Sequence, residues 1–132
     1  MLPILPIAVA ALATMPIGFL WYSPLLFATP WMHLSKVHHT QMKKGPGVFP
    51  FFVALFSSVV IAAIMSVLMH YLNISTVHSA SKLGLLLWFA FDFLPSWMRH
   101  LFDRRPAELV LINSGHMAAN ILAIGWILVA MQ

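Results

Sequence analysis

The sequence predicts an all-α fold, a bundle of four transmembrane helices in a single domain, and three observations predict it. Of the 132 residues, 61% are hydrophobic and only 8% are charged, whereas about a quarter of residues are charged in soluble domains. The mean hydropathy of +0.92 is too high for a fold with a polar surface. Short polar connections separate long apolar runs, and each run reaches the roughly 20 residues that cross a bilayer.

The first two apolar runs predict spans at about residues 2–27 and 48–72. Both runs carry small residues at every fourth position, a pattern that lets helix backbones approach closely in lipid. Both spans are therefore expected to pack closely against other helices. The small residues are Ala10, Thr14 and Gly18 in the first span and Ala54, Ser58, Ala62 and Ser66 in the second.

The last two runs predict spans at about residues 80–102 and 107–131. The third span is crowded with aromatic residues and is expected to bend at Pro95, which lacks a backbone donor. The fourth span begins after Pro106, because proline is favoured at the start of a helix. The whole chain is then one transmembrane domain with short connections.

A short motif occurs twice in the chain. The pair Leu20 and Trp21 resembles the pair Leu87 and Trp88, and in each copy a proline and a further tryptophan follow. Both copies end a helix that runs in the same direction, so an axis along the membrane normal would relate them. Two similar helical hairpins are one interpretation. Chance similarity is the other, since the match is short and gapped.

The basic residues predict the orientation in the membrane, because cytoplasmic loops carry an excess of Lys and Arg. In a four-span protein the first and third connections lie on one side, and here they hold six basic residues, whereas the second holds only Lys82. Loops 28–47 and 100–106 are therefore expected in the cytosol and both termini outside the cytoplasm. The net charge of +4 then needs no nucleic-acid partner. The six residues are Lys36, Lys43, Lys44, Arg99, Arg104 and Arg105.

Asp92 places an ionisable group in the middle of the third span. A charge in the bilayer costs at least about 2.5 kcal/mol on insertion scales, so such a residue normally faces inward and has a partner. At about 1.5 Å per residue, Asp92 and His116 both lie about 15 Å from the basic edge. Such a group is able to bind a ligand or relay protons or cations. The predicted buried cluster comprises Asp92, His116, Asn113 and Asn120, with Ser58 as a further candidate.

The same polar residues have a simpler interpretation, as hydrogen bonds that hold the helices together, each worth about 0.6 kcal/mol on average in membrane proteins. Catalysis is not favoured, because the sequence has no His-Glu-x-x-His motif, no glycine-rich phosphate loop and no paired carboxylates. The absence of cysteine excludes thiol nucleophiles and zinc–thiolate sites. We therefore expect a protein that is not an enzyme and has no cofactor.

The first connection combines histidines with basic residues. Imidazole is a ligand for copper and zinc, but the spacing matches no structural metal motif, and a solvated interfacial loop is the preferred interpretation. Basic residues at the membrane edge are also candidates for binding anionic lipid headgroups. The metal candidates are His33, His38 and His39, and the headgroup candidates are Arg99, Arg104, Arg105, Lys43 and Lys44.

Two blocks of the sequence resemble an uncharacterised family. Residues 20–27 read Leu-Trp-Tyr-Ser-Pro-Leu-Leu-Phe and are followed by Trp31, and residues 101–106 and 111–115 form the second block. In this order they are similar to the two signatures of the membrane family catalogued as domain of unknown function 1761. The resemblance covers nearly the whole chain and implies a small four-helix membrane protein without assigned catalytic residues. His116 stands where family members tend to have an aromatic residue.

The most specific function that these observations favour is a homo-oligomeric transporter or channel-like protein with the buried Asp/His/Asn cluster. Oligomers are expected because four short helices enclose too little space for an aqueous pathway but carry several small-residue faces. The alternative is an accessory or scaffolding subunit of a larger membrane complex without its own site. The expected partners are the lipid bilayer and other membrane subunits or further copies of this chain.

Overall fold

A computed structural model describes residues 2–35 and 47–132, and the regular structure in these ranges is entirely helical. Four segments are long and apolar enough to cross a membrane, which confirms the predicted all-α class with four candidate spans. These segments are Ile4–Trp21, Phe49–Tyr71, Val77–Asp103 and Ala107–Ala130.

Six α-helices and one π-helical turn make up the described chain. The third candidate span is built from two of these helices joined by the π-helical turn Phe89–Phe93. The helices are α1 (Ile4–Trp21), α2 (Ala28–Ser35), α3 (Phe49–Tyr71), α4 (Val77–Trp88), α5 (Leu94–Asp103) and α6 (Ala107–Ala130).

Helix α1 ends at Trp21, whereas the first span was expected to reach residue 27. The cause is Pro24, which has no N–H to donate to the carbonyl oxygen of Leu20, the acceptor that a continuing helix would use. The amide and the hydroxyl of Ser23 donate to that oxygen instead, at 3.1 and 2.6 Å. The chain then turns and forms α2 within the predicted first connection.

The third span changes its winding before Pro95. Proline cannot donate to the carbonyl of the residue four positions earlier, and the preceding turn is π-helical, with the amide of Leu94 donating to Phe89. Such π turns often occur at functional sites. This turn contains Asp92, the one acidic residue of the span's apolar part.

Helix α6 lies at the centre of the bundle and packs against α1, α3 and α4. The core fills the half of the bundle that contains the start of α1 and the end of α6. Met65, Met69 and Ile124 are almost fully buried there. Gly125 lies in this core, where a Cβ would make ordinary contacts of 3.5 Å with the Cε of Met65 and 3.6 Å with the Cβ of Ala80.

The small-residue faces of α1 and α3 meet. Ala10 and Ala62 are fully buried in the common core, and the hydroxyl groups of Thr14 and Ser58 are hydrogen-bonded at 2.8 Å. Thr14 also donates to the carbonyl of Ala11 at 2.7 Å. Hydroxyl groups that pair in this way satisfy each other in lipid, where no water is present.

Candidate functional site

A groove of about 950 Å³ opens between α1, α3 and α6 in the half of the bundle that contains α2. The volume falls in the range of sites that bury drug-sized ligands, about 300–1,000 Å³. The packed core closes the groove towards the end of α6, where Ile124 lines its floor. Phe19, Tyr22, Trp31 and Phe51 supply aromatic surface, and Thr14, Ser57, Ser58, Asn113, His116 and Asn120 supply polar groups.

Asn120 is buried, with only 8% of its surface exposed. Its Nδ2 lies 3.3 Å from His116 Nε2, so the two side chains share one hydrogen bond. Among the described residues, the Oδ1 atom of Asn120 has no hydrogen-bond partner. A buried amide oxygen without a donor is costly. The residue Asn120 lines the groove, but its Oδ1 atom is buried beneath the surface of the groove.

Gly18 makes room for the imidazole of His116. A Cβ at this position would lie 3.3 Å from His116 Nε2, closer than most such contacts. The glycine therefore lets α1 approach α6 at the point where His116 reaches towards Asn120. Gly18 belongs to the small-residue face of α1, and its role here is to shape the site as well as the packing.

Tyr22 closes the α2 end of the polar wall. Its hydroxyl donates to Asn113 Oδ1 at 2.7 Å, and its ring lies edge-on to the ring of His116, with centroids 5.1 Å apart. Burial, together with the nearby negative charge of Asp92, raises the pKa of Tyr22 to about 12. The phenol therefore stays protonated at neutral pH and remains a donor to Asn113.

Asp92 lies outside the groove and has a partner on another side of α6. Ser114, which is 2% exposed, donates its hydroxyl hydrogen to Asp92 Oδ2 at 2.7 Å. The carboxylate still lies within electrostatic range of both Tyr22 and His116. Among the described residues no ion pair involves it.

The described residues therefore do not form the predicted single buried cluster. Asn120 is buried, but Asp92 and His116 are half-buried and Asn113 is exposed. Successive residues of an α-helix point about 100° apart, so Ser114 and His116 lie on nearly opposite sides of α6. The third span meets α6 on the Ser114 side, and α1 meets it on the His116 side.

Two indoles hold the outer helices to the start of α6. Trp21 Nε1 donates to the carbonyl of Ile112 at 2.9 Å, and Trp88 Nε1 donates to the carbonyl of Ser114 at 2.7 Å. These are the tryptophans of the repeated Leu-Trp motif, and they make the same kind of contact from different helices. Gly115 lies against Trp21, since a Cβ there would be 3.0 Å from Cζ2.

The predicted headgroup residues Arg99, Arg104 and Arg105 are all exposed at the end of α5 and in the following turn. Arg105 Nε lies 3.8 Å from Asp103 Oδ2, and both side chains are exposed, so this pair adds little stability. The carbonyl of Arg105 is also hydrogen-bonded to His100 Nδ1. The other two headgroup candidates, Lys43 and Lys44, lie outside the described residues.

The metal candidates are only partly visible. His33 is exposed on α2, and His38 and His39 lie outside the described residues. Within residues 2–35 and 47–132, no three His, Asp or Glu side chains come together as a metal site.

Tyr22 and Ser114 are the site residues that sequence reasoning missed. Tyr22 lies within a Trp-Tyr-Ser-Pro run whose usual interpretation is an interfacial anchor. Ser114 is one small polar residue between Asn113 and Gly115, and only its position opposite the third span gives it a partner. The signal that could have found it is the continuous polar stretch in an otherwise apolar span.

Comparison with known proteins gives one match. A family model described as "Protein of unknown function (DUF1761)" matches residues 5–129. None of the curated proteins and none of the solved structures searched matches the chain.

Proposed function

This chain belongs to the DUF1761 family of proteins of unknown function, and we propose that it binds a small amphiphilic molecule in the groove between α1, α3 and α6 and carries it across the membrane. The observation that supports this proposal is the groove itself, about 950 Å³ in volume, whose lining combines aromatic rings with polar side chains and has Asn120 near its floor. A ligand with an apolar body and a polar head group would match this lining.

The position of the groove supports a carrier rather than a static receptor. The groove runs from the α2 end of the bundle to Asn120, about halfway along α6, and the packed core lies beyond it. Binding sites near the middle of the spans are typical of secondary transporters. His116 and Asn113 belong to its wall, and Asp92 acts on the wall only through its charge.

Binding of decanol to protein in lipid nanodiscs tests the proposal. We expect Asn120→Leu to weaken binding about tenfold, because the groove loses a polar amide that faces the head group and gains an apolar side chain in its place. The variant is expected to stay folded, since it removes an unsatisfied buried oxygen. Tritiated decanol in a scintillation proximity assay measures the affinity of each protein, and nanodiscs without protein correct for partition into lipid.

A matched control comes from the lipid-facing side of α3. Phe56 is 69% exposed and does not line the groove, so Phe56→Leu is expected to bind decanol like the wild type. Equal affinity of the wild type and Asn120→Leu would contradict the proposal. Co-purification of a different protein in fixed ratio, with no decanol binding, would favour the accessory-subunit alternative instead.

Homo-oligomerisation, the orientation of the termini and the absence of enzymatic activity remain predictions. The groove lies within one chain, so binding does not depend on an oligomer. Transport across the membrane does need a complete pathway through the protein. Uptake of decanol analogues into proteoliposomes measures this transport.

The exposed arginines are proposed to bind anionic lipid headgroups. Each basic residue near an anionic surface contributes about 1 kcal/mol, so replacing Arg99, Arg104 and Arg105 together by glutamine is expected to reduce retention of anionic lipid at least tenfold. Native mass spectrometry of protein purified from mixed anionic and zwitterionic lipid measures this. Lys82→Gln, in the first half of α4, is the control, and an equal loss in both variants would contradict the assignment.

A further inference from the structure

We infer that the head group which the groove selects is an ammonium, so that the ligand is an amine on an apolar body. This inference rests on the proposed function and specifies its ligand class. It follows from the groups that face the groove: aromatic rings, hydroxyl oxygens and no Lys or Arg among the described lining residues.

The aromatic rings gather at the α2 end of the groove. Tyr22 and Trp31 are arranged edge to face with centroids 5.8 Å apart, and Phe19 and Phe51 lie 5.7 Å apart on the facing side. Ring faces carry negative potential and attract cations, most strongly tryptophan and tyrosine. An amine that enters from this end passes or rests against these faces.

The wall of the groove also offers lone pairs to a donor. The hydroxyl hydrogen of Tyr22 is used by Asn113, so the Tyr22 oxygen presents lone pairs. Ser57 adds a hydroxyl group to the lining. An ammonium group has three donors and no acceptor, and these oxygens are able to accept from it.

The electrostatic field of the site has the sign that favours a cation. Asp92 lies within range of Tyr22 and His116, and its only hydrogen bond among the described residues comes from the neutral hydroxyl of Ser114. No Lys, Arg, Asp or Glu lines the described part of the groove. The negative charge of Asp92 therefore contributes a potential at the wall that disfavours anionic amphiphiles.

Four ligands with the same ten-carbon tail test the inference: decylamine, decyltrimethylammonium, decanol and decanoate. Binding is measured in nanodiscs of zwitterionic lipid as competition against tritiated decanol, and nanodiscs without protein again correct for partition into lipid. We expect decylamine to bind at least tenfold more tightly than decanol, and decanoate to bind most weakly. Decyltrimethylammonium, which is cationic but has no N–H donor, is expected between decylamine and decanol.

Trp31→Leu separates the cation effect from hydrogen bonding. Loss of one ring face is expected to weaken decylamine and decyltrimethylammonium about five- to tenfold and to leave decanol within twofold. Phe56→Leu, on the lipid side of α3, is expected to change none of the four affinities.

The outcomes distinguish the inference from the function on which it rests. If decanol binds as tightly as decylamine, and more tightly to the wild type than to Asn120→Leu, the ammonium assignment is overturned while the binding site stands. If none of the four ligands distinguishes the wild type from Asn120→Leu, both are overturned. Preference for decylamine that Trp31→Leu reduces supports both.

Discussion

Replacement of Gly115 by alanine is expected to lower the free energy of unfolding by about 1–3 kcal/mol, the usual cost of overpacking. A Cβ at this position would lie 3.0 Å from Trp21 Cζ2. The indole cannot easily rotate away, because its Nε1 is hydrogen-bonded to the carbonyl of Ile112. Unfolding in mixed micelles of mild detergent and dodecyl sulfate, followed by circular dichroism, measures the change.

Gly84 provides the matched control for this prediction. It is buried on α4, and a Cβ there would meet Ile121 at 3.6–3.8 Å, which is ordinary contact distance. Gly84→Ala is expected to be neutral or stabilising, because alanine favours the helix by up to about 1 kcal/mol over glycine. If both variants were equally stable, Trp21 would not be the fixed contact between α1 and α6 that we describe.

Removal of the Ser114 hydroxyl is expected to have the next largest effect. Ser114→Ala leaves Asp92 without its hydrogen-bond donor at membrane depth, and we expect a loss of about 1–2 kcal/mol. This value lies between the 0.6 kcal/mol average for membrane proteins and the range of about 1.5–3 kcal/mol for bonds to charged groups. The same unfolding assay measures it. Ser81→Ala, which removes only an exposed acceptor of Trp126, is the control.

A double variant tests whether the loss belongs to this pair. When both partners of a hydrogen bond are replaced by apolar groups, the change is often nearly neutral, so Asp92→Leu with Ser114→Ala is expected to be more stable than Ser114→Ala alone. A double variant that is less stable than the single one would show that Asp92 has a further partner that carries most of its stabilisation.

The membrane spans were predictable because hydropathy is a sum over many residues. The end of α1 could not be predicted from hydropathy, since residues 25–27 continue the apolar run while Ser23 and Pro24 end the helix. Hydropathy reports the preferred environment of a segment and not the path of its backbone. The local signal of a serine followed by a proline was present, and it decides the boundary.

Residue counting along the spans placed Asp92 and His116 at similar depths, and Asp92 does lie within electrostatic range of His116. The counting could not give the direction in which each side chain points. That direction depends on which face of α6 meets the third span, and the π-helical turn at Phe89–Phe93 shifts it further. The contacts between Asp92 and Ser114 and between His116 and Asn120 are therefore set by the three-dimensional packing of the helices.

The unsatisfied oxygen of Asn120 illustrates what no sequence pattern carries. The position of Asn120 four residues after His116 predicted that both share a helical face, and their contact at 3.3 Å agrees with it. That Oδ1 has no donor depends on how α1, α3 and α6 surround it. A shortage of donors at one atom is a property of the assembled site.

Cysteine protection tests most directly whether the groove binds a ligand, because the chain has no native cysteine. Ser57 lines the groove and its neighbour Phe56 does not, so Ser57→Cys and Phe56→Cys place a thiol at the same depth on two sides of α3. With a membrane-permeant thiosulfonate reagent, we predict that saturating decylamine or decanol slows modification of Ser57→Cys at least fivefold and leaves Phe56→Cys unchanged. Equal rates with and without ligand at both positions would contradict the account.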